Sequence, residues 1–238
     1  SGADLLENIV KTESLVAHAV VQGAQLITTP ENTFLMAENG TNLIYYTQDE
    51  HPAVKASAEM AKKHGIWLLI GSVAVAGSNN KSYNRSLFFN PQGEIVAQYD
   101  KIHLFDVEVG DGQTYRESAK IIAGDKAVIA DTSFAKLGMT ICYDLRFPQL
   151  YRALAKAGAN IIAVPAAFTQ VTGQAHWHVL LIARAIETGC FIIAPAQTGT
   201  HAGGRQTYGH SLIVSPWGEI ISDCGTEEGV IVADIDLS

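Results

Sequence analysis

The sequence predicts an α/β sandwich, and three observations support this. Helix-spaced apolar stretches alternate with short, nearly unbroken β-rich runs, and some of those runs join directly through turn signals as hairpins. The composition, 47% apolar and 17% charged, supplies enough apolar surface for a large packed core. Helices between some strands and hairpins between others imply a mixed sheet with helices on its outer faces. With no repeat, low-complexity tract or linker, the 238 residues read as one domain over 1–238.

Leu5, Ile9, Val16 and Val20 recur at helical spacing and predict a helix that stops near Gly23. Residues 26–30 read as a short strand with Glu31 just past its end. A second helix is expected over 52–64, stopped by Gly65. The run 66–75 is β-rich without alternation, as expected of a strand covered on both faces. Turn signals at 77–80 and 90–93 frame strands over 82–89 and 94–103 as a hairpin. Residues 105–124, rich in Gly and charge, read as loop. A strand over 136–142 then meets a helix that carries Pro148 in its first turn and runs to Gly158. A buried strand over 160–167, a helix over 176–188 ending at Gly189, and strands over 190–196, 209–215 and 219–223 complete the reading. Both ends read as trimmed: Ser1 leads almost directly into a helix, and the chain stops at or just after an apparent strand.

Sixteen Lys and Arg against 24 Asp and Glu give a net charge of −8, which argues against nucleic acid or an anionic membrane as partner. Cysteines at 142, 190 and 224 form no disulfide framework and no C-x-x-C pair. A reducing, cytoplasmic compartment fits that usage. No apolar run approaches the ~18 residues that span a bilayer.

The most informative residue is Cys142, in Ile141-Cys-Tyr-Asp-Leu-Arg-Phe-Pro148, where a strand-like stretch meets a helix-like one. Open α/β folds expose reactive groups at such junctions, although a thiol in an apolar strand is often an inert core residue. Lys101 is either an edge-strand gatekeeper or a fixed cation for an oxyanion. Glu31 is either a solvated turn residue or a base, and Glu117 by itself reads as a loop charge. His176 and His178, two apart, do not share a helix face. His103, Asp106, His201 and His210 make a metal site only if a fold is assumed, and no H-E-x-x-H, G-x-S-x-G or Walker spacing occurs. Spacing alone does not unite Glu31, Lys101 and Cys142.

Pro30-Glu-Asn-Thr-Phe34, Tyr99-Asp-Lys-Ile-His-Leu-Phe-Asp106 and the Cys142 segment, in that order, resemble the three signature segments of the nitrilase superfamily, the carbon–nitrogen hydrolases. The likeness continues through Tyr208-Gly-His-Ser-Leu-Ile-Val-Ser-Pro-Trp-Gly218 and so covers nearly the whole chain. The run from Ala175 to Gly189 is most similar to the branch that includes deaminated glutathione amidase, with the ω-amidase branch a near rival; nitrilase and carbamoyl amidohydrolase chemistry are further alternatives. A catalytically silent binding protein on the same scaffold is the reading from another class.

The resemblance implies an α-β-β-α sandwich that pairs across a helical face into homodimers or larger homo-oligomers. It also implies a Glu31–Lys101–Cys142 triad supported by Glu117, with no metal or organic cofactor. A free thiol, pKa ~8.5, is mostly protonated at neutral pH and needs a base. Glu31 would be that base, its pKa raised toward neutrality by burial and by a second carboxylate. Lys101 and the backbone N–H of Tyr143 would bind the oxyanion, each such donor contributing ~3–4 kcal/mol. A Cys142 thioester forms as ammonia leaves, and water activated by Glu31 releases the acid. The expected substrate is a small amide bearing a carboxylate, for which Arg146 is the candidate cation. Phe168 and Thr172 are expected to line its pocket.

Overall fold

A computed structural model describes residues 1–37, 45–108 and 114–237. Four helices are named here: α1 (Leu5–Val21), α2 (Pro52–His64), α3 (Pro148–Lys156) and α4 (Gln170–Thr188). Asp4 caps α1 by accepting from the backbone N–H groups of Leu6 and Glu7. Pro52 opens α2, and Gly65 closes it in the left-handed conformation at φ 63°.

The strands form two main sheets rather than the one mixed sheet that the residue pattern suggested. The first is four-stranded, β1 (Leu26–Thr28), β2 (Trp67–Ala76), β3 (Ser82–Phe89) and β4 (Ile95–Asp100), in that spatial order. The second comprises β7 (Val128–Asp131), β8 (Lys136–Met139), β9 (Ile161–Ala163), β10 (Phe191–Ala194), β13 (Leu212–Val214) and β14 (Ile220–Asp223). It runs in the order β14-β13-β10-β9-β8-β7, with parallel pairing only within β8-β9-β10. Two small hairpins are separate: β5 (Asp106–Glu108) with β6 (Thr114–Arg116), and β11 (Thr198–Thr200) with β12 (Gln206–Tyr208).

The period-2 geometry of strands explains the layering. In β2, Leu68 and Ile70 face the core shared with α1 and α2, whereas Leu69 joins the core between the sheets. In β3, Leu87 and Phe89 go to the helix side and Phe88 to the inter-sheet side. On the other flank, α3 packs on β8, and α4 on β10 and β13. The result is an α-β-β-α sandwich, the architecture that the family resemblance implied.

Several boundaries differ from the sequence reading. The strand expected over 136–142 ends at Met139, and Cys142 opens a 3-10 turn, Cys142–Arg146. The segment 105–124 carries the β5–β6 hairpin and a 3-10 turn at Glu117–Ala119, although 109–113 fall outside the described residues. Helix α4 begins at Gln170, six residues before the periodic apolar pattern, because Thr169 already has the extended N-cap conformation (φ −62°, ψ 147°). Strand β7 and the β11–β12 hairpin were not anticipated, since three- and four-residue strands give too few positions for a pattern.

Candidate active site

Three chain crossings end at one place. Glu31 follows β1, Cys142 follows β8, and Ala167 follows β9, so each sits beyond the carboxyl end of its strand, where open α/β sheets leave a crevice. Lys101 follows β4 and is fixed by its own N–H to the Asn84 carbonyl, 3.0 Å away. Glu31, Lys101 and Cys142 are all buried, and Glu117 is half-buried.

The polar geometry is specific. Lys101 Nζ donates to Glu31 Oε1 at 2.8 Å and to Glu117 Oε2 and Oε1 at 3.0 and 3.2 Å. Asn84 Nδ2 donates to the same two carboxylates, at 2.9 Å to Glu31 and 3.1 Å to Glu117. The two acceptors fix which end of the Asn84 amide faces them. Glu31 Oε2 accepts the Ala167 N–H at 2.9 Å, and Glu117 Oε2 accepts that of Phe105 at 2.7 Å. Cys142 lines the same cavity as Glu31 and Lys101.

These contacts overturn one expectation. Burial pushes Glu31 up, but the Lys101 charge and the hydrogen bond from Lys101 outweigh it and hold the carboxyl below its usual range. The expected rise toward neutrality assumed a neighbouring carboxylate acting alone, whereas an ammonium stands between the two acids. Cys142 moves the other way: burial, then the Glu31 charge, pushes the thiol well up. Lys101 is raised despite its burial, because Glu117 and Glu31 favour its charged form. The site therefore rests as carboxylate, ammonium and protonated thiol.

Cys142 has φ 46°, a conformation that side-chain-bearing residues adopt at a cost. Its N–H donates to the Pro165 carbonyl at 2.8 Å. The turn is anchored by fully buried Asp144, which accepts the Tyr99 hydroxyl (2.6 Å), the Ile141 N–H (2.8 Å) and the His103 N–H (3.1 Å), and meets His103 Nδ1 (2.7 Å). Tyr143 lies in the opening turn of this short helix, whose leading N–H groups have no partner within it.

A cavity of about 330 Å³ opens over Glu31, Lys101, Glu117 and Cys142. Tyr143, Phe168 and Thr172 line it, whereas Arg146 is not part of the wall. The Arg146 guanidinium lies 5.5 Å from the Phe168 ring centroid and meets His176 Nδ1 at 3.2 Å, rather than pairing with Asp144. Sequence reasoning missed Asn84, Asp144 and Arg205, which also contributes to the wall. For Asn84 a signal was present: Ser82, Asn84 and Ser86 put polar groups on one buried face of a strand.

His178, His201 and His210 fall outside the cavity wall. His210 and His178 both meet Asp223, at 3.0 and 3.2 Å, while His201 contacts Thr207 and the Ser1 carbonyl. The grouping of His103, Asp106, His201 and His210 is therefore not formed.

Fold and site together define a class: an α-β-β-α hydrolase with a buried cysteine where its strands end. The chain belongs to the carbon-nitrogen hydrolase family, whose profile matches residues 2–238. It is 45% identical over 240 residues to a deaminated glutathione amidase of Synechocystis sp., covering 99% of this chain and 88% of that one. The NitFhit protein of C. elegans superposes with a TM-score of 0.86 at 33% identity, over 96% of this chain; the match spans 57% of that longer polypeptide. An amidase from Nesterenkonia sp. AN1, described with acrylamide added at its active-site cysteine, gives 0.86 at 26% identity over 99% of this chain and 89% of that one. The chain is accordingly an amide-hydrolysing enzyme.

Proposed function

We propose that the enzyme is a thiol amidase using Glu31, Lys101 and Cys142, with Glu117 as support, on a small carboxylate-bearing amide such as deaminated glutathione. The observation that carries the reading is that Glu31, ion-paired to Lys101 at 2.8 Å, shares one cavity wall with the Cys142 thiol. Glu31 takes the thiol proton as sulfur attacks the amide carbon. The carbonyl electron pair moves onto oxygen, where Lys101 and the Tyr143 N–H receive the charge. The intermediate collapses, and the nitrogen leaves as ammonia or an amine with the proton from Glu31. Water, giving a proton to Glu31, attacks the Cys142 thioester; the acid departs and the thiol is restored.

Because Glu31 rests low and Cys142 high, proton transfer between them before attack is unfavourable. Deprotonation therefore accompanies carbon–sulfur bond formation. Glu117 holds Lys101 from the other side and keeps its ammonium beside the reacting carbon. Tyr143, Phe168 and Thr172 shape the acyl pocket. The enzyme is cytoplasmic in this reading. It pairs into a homodimer or larger homo-oligomer, which would cover the exposed apolar Val179 and Ile186 on α4 and the nearby Trp217.

The test is hydrolysis of a panel of amides, nitriles and carbamoyl compounds by wild type and Cys142→Ala. Deaminated glutathione is expected to be turned over by wild type alone. Identical rates for the two proteins on every active substrate would end the thiol mechanism.

A further inference from the structure

We infer that Arg205 is a carboxylate receptor inside the cavity, a subsite next to Glu31 that selects amides carrying an acidic group. The inference deepens the amidase reading and rests on it for the identity of the ligand.

Arg205 is half-buried in the β11–β12 connection and lines the same cavity as Cys142 and Glu31. Its guanidinium is fixed from two sides. One Nη donates to the Ala167 carbonyl at 2.7 Å, and the Tyr115 ring lies beneath it with its centroid 5.7 Å from Cζ. Ala167 presents its own N–H to Glu31 Oε2 at 2.9 Å. One residue thus holds the guanidinium through its carbonyl and the catalytic carboxylate through its amide.

What this placement leaves over points to a ligand. Arg205 Nε is buried and has no hydrogen-bond partner among the described residues. A buried donor left unmade is costly, and more so on a charged group. Among the described residues no carboxylate forms an ion pair with Arg205, and Glu31 and Glu117 of the cavity wall are ion-paired to Lys101. The cavity wall carries, among the described residues, Lys101, Arg116, Lys120 and Arg205 against Glu31 and Glu117, in a chain whose net charge is −8. This local reversal of sign draws anions to the opening. Of the cations not engaged by the site's glutamates, Arg116 and Lys120 are exposed, so Arg205 is the one placed to meet an anion out of water. A planar guanidinium with a spare Nε matches a carboxylate through two parallel bonds.

The carboxylate can belong to the acyl half or the amine half of the substrate, and three amides sharing one acyl chain length separate these sources. One is neutral, one has an acyl-side carboxylate only, and one has a carboxylate on each half. For each, kcat/KM is measured with wild type, Arg205→Ala and Arg205→Lys, and each acidic substrate is expressed as a ratio to the neutral one. The ratio cancels any effect of the lost charge on Glu31. In Arg205→Ala it is expected to fall ~30-fold or more, the range for removing one partner of a desolvated charge pair. The fall should lie mainly in KM, with partial recovery in Arg205→Lys. The substrate that suffers identifies the half that is read. An unchanged ratio for both acidic substrates overturns the proposal. Binding of glutarate to Cys142→Ala, followed by calorimetry, gives a readout without turnover. Binding is expected, and loss of it when Arg205→Ala is added supports the receptor even if no amide is hydrolysed. Equal binding with and without Arg205, or none to Cys142→Ala, refutes it.

Discussion

Lys101 Nζ lies 2.8 Å from Glu31 Oε1, across 70 positions of sequence, and both side chains are almost fully buried. A buried ion pair is costly to form and more costly to break, because removing one partner leaves an uncompensated charge. Here a third charge, Glu117, makes the cluster net negative unless another cation joins it. Glu31→Gln removes the base and one of the two carboxylates that hold Lys101. Its kcat is expected to fall ~10²–10⁴-fold, the usual worth of a positioned base. Glu117→Gln leaves the base in place and is expected to cost less. In the double variant the losses should not add, since the groups act as one unit. Steady-state kinetics on the four proteins checks this; additive losses would mean that Glu117 acts separately.

The resting proton positions give a pH prediction with a definite sign. Glu31 is lower in the folded protein than its unfolded value of ~4.3. The unfolded chain therefore takes up that proton first on acidification. This contribution to stability is complete above pH ~4.3 and is lost as pH falls through the lower folded value. Cys142 is raised above its unfolded ~8.5, so its contribution is complete below that pH and fades as pH rises beyond it. Melting temperature against pH, compared between wild type and Cys142→Ala, should show an extra alkaline decline in wild type alone. Parallel curves above pH ~8.5 would contradict the raised thiol. The rate should likewise form a broad plateau, with its acid limb at or below the ordinary carboxylate range.

The long elements were legible because their patterns repeat. Helices α1 and α2 and strands β2 and β3 each span several periods with clear stops, such as Gly65. Strands β7, β11 and β12, each three or four residues long, were not. The division into two sheets was equally silent in the residue pattern, because alternation assigns faces without saying which strands pair. At the site, Glu31, Lys101 and Cys142 emerged from signature segments, and Glu117 from the wider family resemblance, rather than from spacing. Their supports did not emerge: Asn84, Asp144 and the Ala167 amide act through contacts that only the folded chain creates. The direction of the Glu31 shift was misread for the same reason, since it depends on where one ammonium sits between two acids.

Gly71 of β2 makes the Glu31 turn possible. A Cβ at that position would stand 2.0 Å from the Thr29 carbonyl oxygen and 2.4 Å from that of Pro30. The Gly71 N–H also donates to Thr29 Oγ1 at 3.0 Å. Both obstructing atoms are backbone, so Gly71→Ala must displace the end of β1 and with it Glu31. Overpacking of this kind typically costs ~1–3 kcal/mol. Chemical denaturation should show that loss, and kcat should fall further than the population of folded protein explains. Unchanged kcat in a folded Gly71→Ala would mean that the turn moves without carrying Glu31.

The backbone at Cys142 allows a test of strain that activity cannot confuse. At φ 46° an L-residue meets its own carbonyl neighbourhood, at ~1–2 kcal/mol for a residue with a Cβ. Cys142→Ala and Cys142→Gly both lack the thiol and should both be inactive, so they differ only in the strained Cβ. Inside an ordinary helix the glycine variant would be the weaker by ~1 kcal/mol. Here the order should reverse, with Cys142→Gly the more stable by ~1 kcal/mol, because glycine adopts positive φ without penalty. Equilibrium urea unfolding of the two inactive proteins resolves a difference of that size. If the alanine variant is the more stable, the nucleophile's turn is relaxed, and the reach of its sulfur into the cavity owes nothing to stored backbone strain.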